Sequence, residues 1–141
     1  MNIFSIEHNK QLFKLQMNDF SAEGDSFYGG AYFRGLAKIS CSGFEATTSE
    51  FYFDNHSIKQ FYEGLKHMYQ AEKGSVSFES ESKELKLNFQ LKGNGEMNLM
   101  VCFDDLHSDD SLKCEILCHY STIPNIKKEL KDFLNIFKIS N

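Results

Sequence analysis

A regular alternation of apolar and polar residues runs through the second half of the chain. Between residues 76 and 120, four segments carry an apolar side chain at every second position, with mostly polar residues between them. Successive side chains of a β-strand point to opposite faces, so each segment predicts a strand with one buried face. The connections are short, and the turn Gly93-Asn94-Gly95 is one of them, which favours antiparallel neighbours. The pattern therefore predicts an antiparallel meander.

The first half of the chain contains the same period. Residues 13–17 alternate as a half-buried strand does, with residues 2–6 as its hairpin partner. A longer strand begins at Ala31, turns at Ser42-Gly43 and returns over residues 44–53. The residues on one face of this long strand are Phe33, Gly35, Ala37, Ile39 and Cys41. Because the chain contains fourteen Phe and no Trp, phenylalanine must supply most of the core volume.

Two segments repeat apolar residues with helical spacing. The first has Ser57 followed by Gln60, the spacing of a capping box, and stops at Gly74. Its apolar stripe consists of Ile58, Phe61, Leu65 and Met68, with Tyr62 and Tyr69 beside them. The second begins with Thr122 as its cap and Pro124 in its first turn. Its buried face consists of Ile126, Leu130, Phe133, Leu134 and Phe137.

The order of strands, helix, strands and helix predicts an α+β fold. We expect an antiparallel, curved β-sheet or sandwich of about six to eight strands, with two amphipathic α-helices packed on it. The length of 141 residues is typical of one domain, and no linker, repeat or low-complexity tract divides the chain. Residues 1–141 are therefore expected to form a single domain.

The charge balance is mildly acidic. The chain has 15 Lys and Arg against 20 Asp and Glu, a formal net charge of −5. Nucleic acid is disfavoured as a partner, because phosphate contacts need a basic face and the only basic cluster is Lys127, Lys128 and Lys131. The N-terminus lacks the charged and apolar regions of a signal peptide, and no stretch is apolar enough for a membrane span. We expect the protein to stay in the cytoplasm and not to bind membranes.

The cysteines and histidines show no catalytic or metal-binding spacing. The four cysteines, expected to be reduced thiols packed as small hydrophobic residues, are Cys41, Cys102, Cys114 and Cys118. Four residues of strand span about 13 Å, too far for Cys114 and Cys118 to share a zinc ion. A working thiolate needs a reachable, electropositive pocket, whereas these cysteines lie within apolar alternation. Phosphate-loop, dinucleotide-binding and nucleophile-elbow motifs are absent. These observations argue against an enzyme and a metal site.

Residues 104–110, which we call the acidic loop, concentrate carboxylates between two predicted strands. The carboxylates are Asp104, Asp105, Asp109 and Asp110, accompanied by His107. The loop lacks the glycine and the distal glutamate of an EF-hand, which argues against specific calcium binding. Two interpretations remain open: a solvated hairpin tip, and a contact surface whose carboxylates attract and pair with a basic partner.

Two further segments carry candidate surface residues. Glu79, Glu81 and Glu84 form a second acidic group around a hairpin turn, and we expect them to face solvent. Residues 21–30 form a polar, glycine-bearing connection that contains Phe27 and Tyr28. Aromatic residues in such a loop are unusual, which makes them candidate contact residues.

The stretch of residues 32–103 resembles the WapI-like immunity proteins. The matching pattern is a set of hydrophobic spacings with a few glycines, spread over several predicted elements. It consists of Ser42-Gly43-Phe44, Phe51 to Phe53, Ile58-x-x-Phe61-x-x-x-Leu65, Gly74-x-Val76-x-Phe78, Leu85-x-Leu87-x-Phe89 and Gly95-x-Met97-x-Leu99-x-Val101. About half of the chain carries the resemblance.

This resemblance implies a small bacterial protein that protects the cell from contact-delivered or polymorphic toxins. The implied fold has antiparallel strands with two packed helices, and the implied function is inhibition of one toxin domain without a cofactor. No active-site residue is transferred by the resemblance. We therefore hypothesise an immunity protein that binds a cognate toxin C-terminal domain, with a nuclease as the expected toxin. Nucleases hold phosphates with positive charge, for which carboxylates can compete.

The contact residues expected for this partner combine charge with aromatic anchors. They are Asp104, Asp105, Asp109, Asp110, Phe27, Tyr28 and Tyr32. The alternative hypothesis is a small-ligand-binding or regulatory α+β domain without catalysis, with a cavity between the curved sheet and the first helix. A third hypothesis, an enzyme, would require Cys41 or Cys102 beside a histidine in an open cleft.

Overall fold

A computed structural model of the chain describes residues 1–21 and 31–137. Within these residues it contains nine strands, two α-helices and one 3-10 turn. The strands are β1 (Asn2–His8), β2 (Gln11–Ser21), β3 (Tyr32–Cys41), β4 (Phe44–Thr47), β5 (Phe51–Asp54), β6 (Gly74–Glu79), β7 (Leu85–Leu91), β8 (Glu96–Asp104) and β9 (Ser111–His119). The helices are α1 (Asn55–Ala71) and α2 (Ile123–Ile136), and the 3-10 turn is Tyr120–Thr122. The predicted α+β class is confirmed.

The strands form two antiparallel sheets. The first has the order β1-β2-β3-β4, with β5 also paired to β3, and the second has the order β6-β7-β8-β9. The second sheet is the predicted meander. Its register pairs buried with buried residues, for example Phe89 with Leu99 and Leu99 with Ile116. The inner face of each strand therefore follows directly from the alternation in the sequence.

The segment predicted as one returning strand is divided into β4 and β5. Both strands pair with β3, β4 at the end near Cys41 and β5 at the end near Tyr32. Between them, Thr48 donates its backbone N–H to the Ala37 carbonyl at 2.9 Å, and its hydroxyl accepts the Ala37 N–H at 2.9 Å. The Thr48 hydroxyl thus replaces a backbone acceptor in the pairing with β3. The backbone hydrogen-bond ladder is interrupted at this residue.

Phenylalanine rings join the two sheets and the first helix into one buried cluster. Phe51 of β5 lies 6.2 Å from Phe103 of β8, measured between ring centroids, and Phe53 lies 6.0 Å from Phe78 of β6. Gly35 of β3 leaves room for this packing: a Cβ there would overlap the Gln16 carbonyl oxygen and lie 2.8 Å from the Phe53 ring. A side chain at position 35 would separate the strands.

Helix α1 begins three residues earlier than the Ser57-Gln60 spacing suggested. Its cap is Asp54, whose Oδ1 accepts the Ser57 backbone N–H at 2.8 Å, so that Ser57 occupies the third helical position. The capping box is therefore formed by Asp54 and Ser57, and the assignment of Ser57 as the cap was wrong. Asp54 is the cap because its backbone is extended, which directs its carboxylate towards the free N–H groups of the first turn.

We expect Asp54→Ala to lower the free energy of unfolding by about 1 kcal/mol, because the first turn of α1 loses its side-chain acceptor. Urea denaturation followed by circular dichroism measures the change. Asp54→Asn keeps an acceptor oxygen and serves as the control, with a loss of less than half that of the alanine variant. Equal losses in both variants would contradict the capping role.

Both helices bury the predicted apolar faces. The fully buried residues of α1 include Ile58, Phe61, Leu65 and Met68, and those of α2 include Ile126, Leu130 and Phe133. Helix α1 contacts β5 and β6, and α2 contacts β1 and α1. Thr122 stands at the predicted cap position of α2, but its hydroxyl donates to the His119 carbonyl at 2.8 Å instead of capping the helix. Neither helix in the described part of the chain has the length and apolarity to cross a membrane.

Candidate partner-binding surface

The acidic loop connects β8 and β9 and contains several hydrogen bonds between its own residues. Asp105 organises it: its backbone N–H donates to the Asp110 carbonyl at 3.0 Å, and its carboxylate accepts the His107 N–H at 3.0 Å. The same carboxylate accepts the Ser108 hydroxyl at 3.2 Å, and that hydroxyl accepts the Asp110 N–H at 3.1 Å. The loop is therefore built as an ordered turn around one aspartate.

The remaining carboxylates of the acidic loop point into solvent. Asp104, Asp109 and Asp110 are exposed, whereas Asp105 is half-buried. Asp104 is the last residue of β8 and follows the buried Phe103, so its side chain lies on the outer face of the second sheet. Three of the four aspartates expected from the sequence are thus available to a partner, and the fourth fixes their positions.

The second acidic group is only partly exposed. Glu79 and Glu81 face solvent, but Glu84 is 7% exposed, so the expectation that it faces solvent was wrong. Its carboxylate accepts the Ser80 hydroxyl at 2.9 Å, and the Ser80 oxygen also accepts the Leu85 N–H at 3.0 Å. Glu84 therefore closes the turn between β6 and β7 from inside. Strand alternation does not extend through a turn, which is why the sequence pattern misplaced it.

This turn connects the acidic loop to the first sheet. The Asp104 backbone N–H donates to the Glu84 carbonyl at 2.9 Å, and the Glu81 N–H donates to the Tyr52 carbonyl at 2.8 Å. The start of the acidic loop, the turn between β6 and β7, and strand β5 are consequently neighbours. Residues from both sheets meet at this end of the molecule.

Two tyrosines and an arginine lie on the outer face of the first sheet, next to that junction. Tyr32 is 39% exposed and Tyr52 is 50% exposed, and Arg34 faces Tyr52 across the β3–β5 pair. Arg34 forms ion pairs with Asp19 at 3.4 Å and with Glu50 at 3.3 Å. We call Tyr32, Arg34 and Tyr52 the tyrosine patch.

The predicted contact residues outside the acidic loop are aromatic. Tyr32 is exposed as expected, whereas Phe27 and Tyr28 lie outside the described residues. Tyr52 and Arg34 were not identified from the sequence. The sequence contained one signal for this exposed aromatic residue. Tyr52 lies between Phe51 and Phe53, which are buried, so alternation places it on the outer face.

The cysteines occupy three different environments. Cys114 and Cys118 are buried, Cys41 is half-buried against the core, and Cys102 lies on the outer face of the second sheet opposite Lys86 and Lys113. Burial raises the pKa of the Cys118 thiol to about 11, which keeps it protonated. Among the residues described, no three or more His, Cys, Asp or Glu side chains gather as metal ligands would.

The space in which a ligand cavity was expected is occupied by rings. Between α1 and the sheets, Phe61 lies 5.5 Å from Phe4, 5.7 Å from Phe78 and 5.5 Å from Phe89. A surface pocket of about 210 Å³ lies elsewhere, beside Gly95 and His119. Ligand sites generally measure about 300–1,000 Å³, so neither place favours the small-ligand hypothesis.

Comparison with known proteins identifies the family. The model of the immunity protein WapI-like family matches residues 3–138, nearly the whole chain. The chain belongs to this family. The match extends well beyond the stretch of residues 32–103 in which the resemblance was found, and it includes both helices and both sheets. Membership of the family indicates a toxin-neutralising immunity protein, whose partner is a toxin protein.

A solved structure shows a similar fold, whereas no curated protein matches the chain. The crystal structure of WHY1 from Arabidopsis thaliana is similar over 99% of this chain and 85% of that chain, with a TM-score of 0.56 and 11% sequence identity. At that identity the similarity concerns the fold alone. It confirms that two antiparallel sheets with two helices form an arrangement known from another protein.

Proposed function

We propose that this protein binds the C-terminal domain of a cognate toxin in the bacterial cytosol and inhibits it by occlusion, without catalysis and without a cofactor. The observation that carries the proposal is the family match over residues 3–138. The side chains of the described surface fit a binding role: exposed carboxylates on an ordered loop, with exposed tyrosines nearby. An immunity protein needs such a preformed face, because ordering a loop upon binding would reduce affinity.

The proposed toxin chemistry is nucleic-acid cleavage. A nuclease domain offers positive charge to hold phosphates, and the chain carries a formal charge of −5 with aspartates projecting from one ordered loop. The proposed contact face consists of the acidic loop and the tyrosine patch, and the backbone hydrogen bonds from Asp104 to Glu84 and from Glu81 to Tyr52 support this grouping. Asp105 belongs to it as the residue that fixes the loop. Charge then steers association, and the aromatic rings anchor the complex.

The function is tested with a candidate toxin domain, to be sought as the C-terminal domain of a large secreted protein encoded next to this gene. Expression of that domain alone is expected to stop growth, and co-expression of this chain is expected to restore it. The two proteins should also co-purify as a stable complex. Growth arrest that this chain does not relieve, with no complex formed, would reject the proposal. If this chain restores growth and the toxin domain is found to leave DNA and RNA intact, only the nuclease assignment would be rejected.

The role of the acidic loop is tested by Asp104→Asn, Asp109→Asn and Asp110→Asn combined, with Asp105 retained because its carboxylate organises the loop. We expect the association rate with the toxin domain to fall about tenfold at low salt, since exposed charges act mainly on diffusional encounter. The dependence of that rate on salt should weaken in parallel. Surface plasmon resonance at several ionic strengths measures both quantities.

A matched control removes the same number of charges elsewhere: Glu7→Gln, Glu45→Gln and Asp132→Asn combined. These residues are exposed on β1, β4 and α2, outside the second sheet that carries the acidic loop. The control separates the effect of local charge from that of net charge. If both triple variants slow association equally, the acidic loop is not part of the contact face.

A further inference from the structure

Two cysteines from different sheets meet at the end of β3. The Sγ atoms of Cys41 and Cys114 are 2.8 Å apart, although the residues are 73 positions apart in the sequence. A disulfide bond has a length of about 2.05 Å, so an approach of about 0.8 Å would close it. In the described part of the chain, the other two thiols have no such partner sulfur. The Cys118 thiol donates to the Met97 carbonyl at 3.4 Å, and Cys102 lies on the outer face of its sheet. One pair of sulfurs is therefore placed for bond formation.

We propose that Cys41 and Cys114 are an oxidation site, at which hydrogen peroxide forms a disulfide between the two sheets. The Cys41 thiolate attacks a peroxide oxygen, the O–O bond breaks and hydroxide leaves, which gives a sulfenic acid on Cys41. The Cys114 sulfur then attacks the Cys41 sulfur, the S–O bond breaks, and the departing hydroxide takes the Cys114 proton to form water. In total, two thiols and one peroxide give one disulfide and two water molecules.

The surroundings of the two thiols determine the order of these steps. Cys41 is half-buried beside the exposed turn Ser42-Gly43, so peroxide reaches it from solvent, whereas Cys114 is 7% exposed. Burial, followed by the hydrogen bond and the charge of Cys41, raises the pKa of Cys114 to about 12. Cys114 is thus held as a thiol while Cys41 reacts with the peroxide. It is therefore the second partner in the reaction.

The disulfide would fasten two elements that are otherwise joined by side-chain packing. Cys41 ends β3 of the first sheet, and Cys114 lies in β9, at the edge of the second sheet. Because the bond closes a loop of more than seventy residues, it restricts the unfolded chain strongly. We expect the melting temperature to rise by on the order of 10 °C after oxidation. A dithiol reductant should reverse the change, since exchange with thiols opens disulfides.

The experiment uses the purified full-length protein treated with a small excess of hydrogen peroxide under native conditions. Titration of thiols after denaturation should fall from four per chain to two. Peptide mapping by mass spectrometry without reductant should give one linked pair, Cys41 with Cys114. The melting temperature, measured before and after dithiothreitol, should rise and then return.

Cys102→Ser is the matched control, because Cys102 is half-buried like Cys41 but does not face Cys114. It should form the disulfide as the wild type does, whereas Cys41→Ser should not. The wild-type peptide map shows whether Cys41 and Cys114 are linked, and this result does not depend on the folding of either variant. Four unreacted thiols, a link that involves Cys102 or Cys118, a link between two chains, or a Cys41 sulfinic acid without any link would each overturn the proposal.

Discussion

Replacement of Phe61 by alanine is expected to lower the free energy of unfolding by about 4 kcal/mol. Phe61 is 1% exposed on the inner face of α1 and contacts rings from both sheets, Phe4 of β1 and Phe89 of β7, as well as Phe78 of β6. Its ring is the point at which helix and sheets share one core. The three neighbours are fixed by strands, so they cannot close the space that the lost ring would leave.

Urea denaturation measures this loss, and the slope of the transition should stay unchanged because the exposed surface on unfolding is the same. Phe44→Ala provides the control. Phe44 is 44% exposed on the short strand β4, and its loss should change stability by less than about 0.5 kcal/mol. A loss below about 2 kcal/mol for Phe61→Ala would show that the core relaxes into the space, contrary to the packing described.

The inner faces of the strands and helices could be predicted because they depend on spacing alone. The alternation through Leu85 to Leu91 and the helical stripe through Ile58 to Met68 each specify which side chains enter the core, whatever the partner surface is. The family resemblance was visible in the same positions, since it consists of hydrophobic spacings. Burial of apolar surface is the strongest term in folding and therefore leaves the clearest pattern in the sequence.

Features that depend on a specific tertiary neighbour could not be predicted in the same way. Thr48 interrupts a strand because Ala37 lies across from it, and Glu84 is buried because Ser80 is within reach of its carboxylate. The approach of Cys41 to Cys114 depends on how two sheets pack, which no local pattern encodes. Tyr52 was overlooked for a related reason. Its position on the outer face predicts exposure, but only the pairing of β5 with β3 places it opposite Arg34.

The combined replacement of Tyr32 and Tyr52 by alanine is expected to weaken binding of the toxin domain about 100-fold. Exposed tyrosines beside an arginine are typical anchors, each contributing more than 1 kcal/mol, and tenfold in affinity corresponds to about 1.4 kcal/mol. Each tyrosine has only two side-chain torsion angles, so little side-chain entropy is lost when the rings are ordered by a partner. The loss should appear mainly as faster dissociation, in contrast to the slower association expected for the acidic loop.

Two controls separate contact from structure in this experiment. Phe44→Ala removes an exposed ring of similar size from β4, which pairs with the opposite end of β3, and it should leave the affinity unchanged. Tyr32→Phe with Tyr52→Phe keeps both rings and should retain most of the affinity if ring packing is the main contribution. Melting temperatures of all variants show whether the sheet is intact, because both tyrosines also pack on a β surface. An alanine double variant that melts normally and binds as tightly as the wild type would remove the tyrosine patch from the contact face and leave the acidic loop to be judged by its own variants.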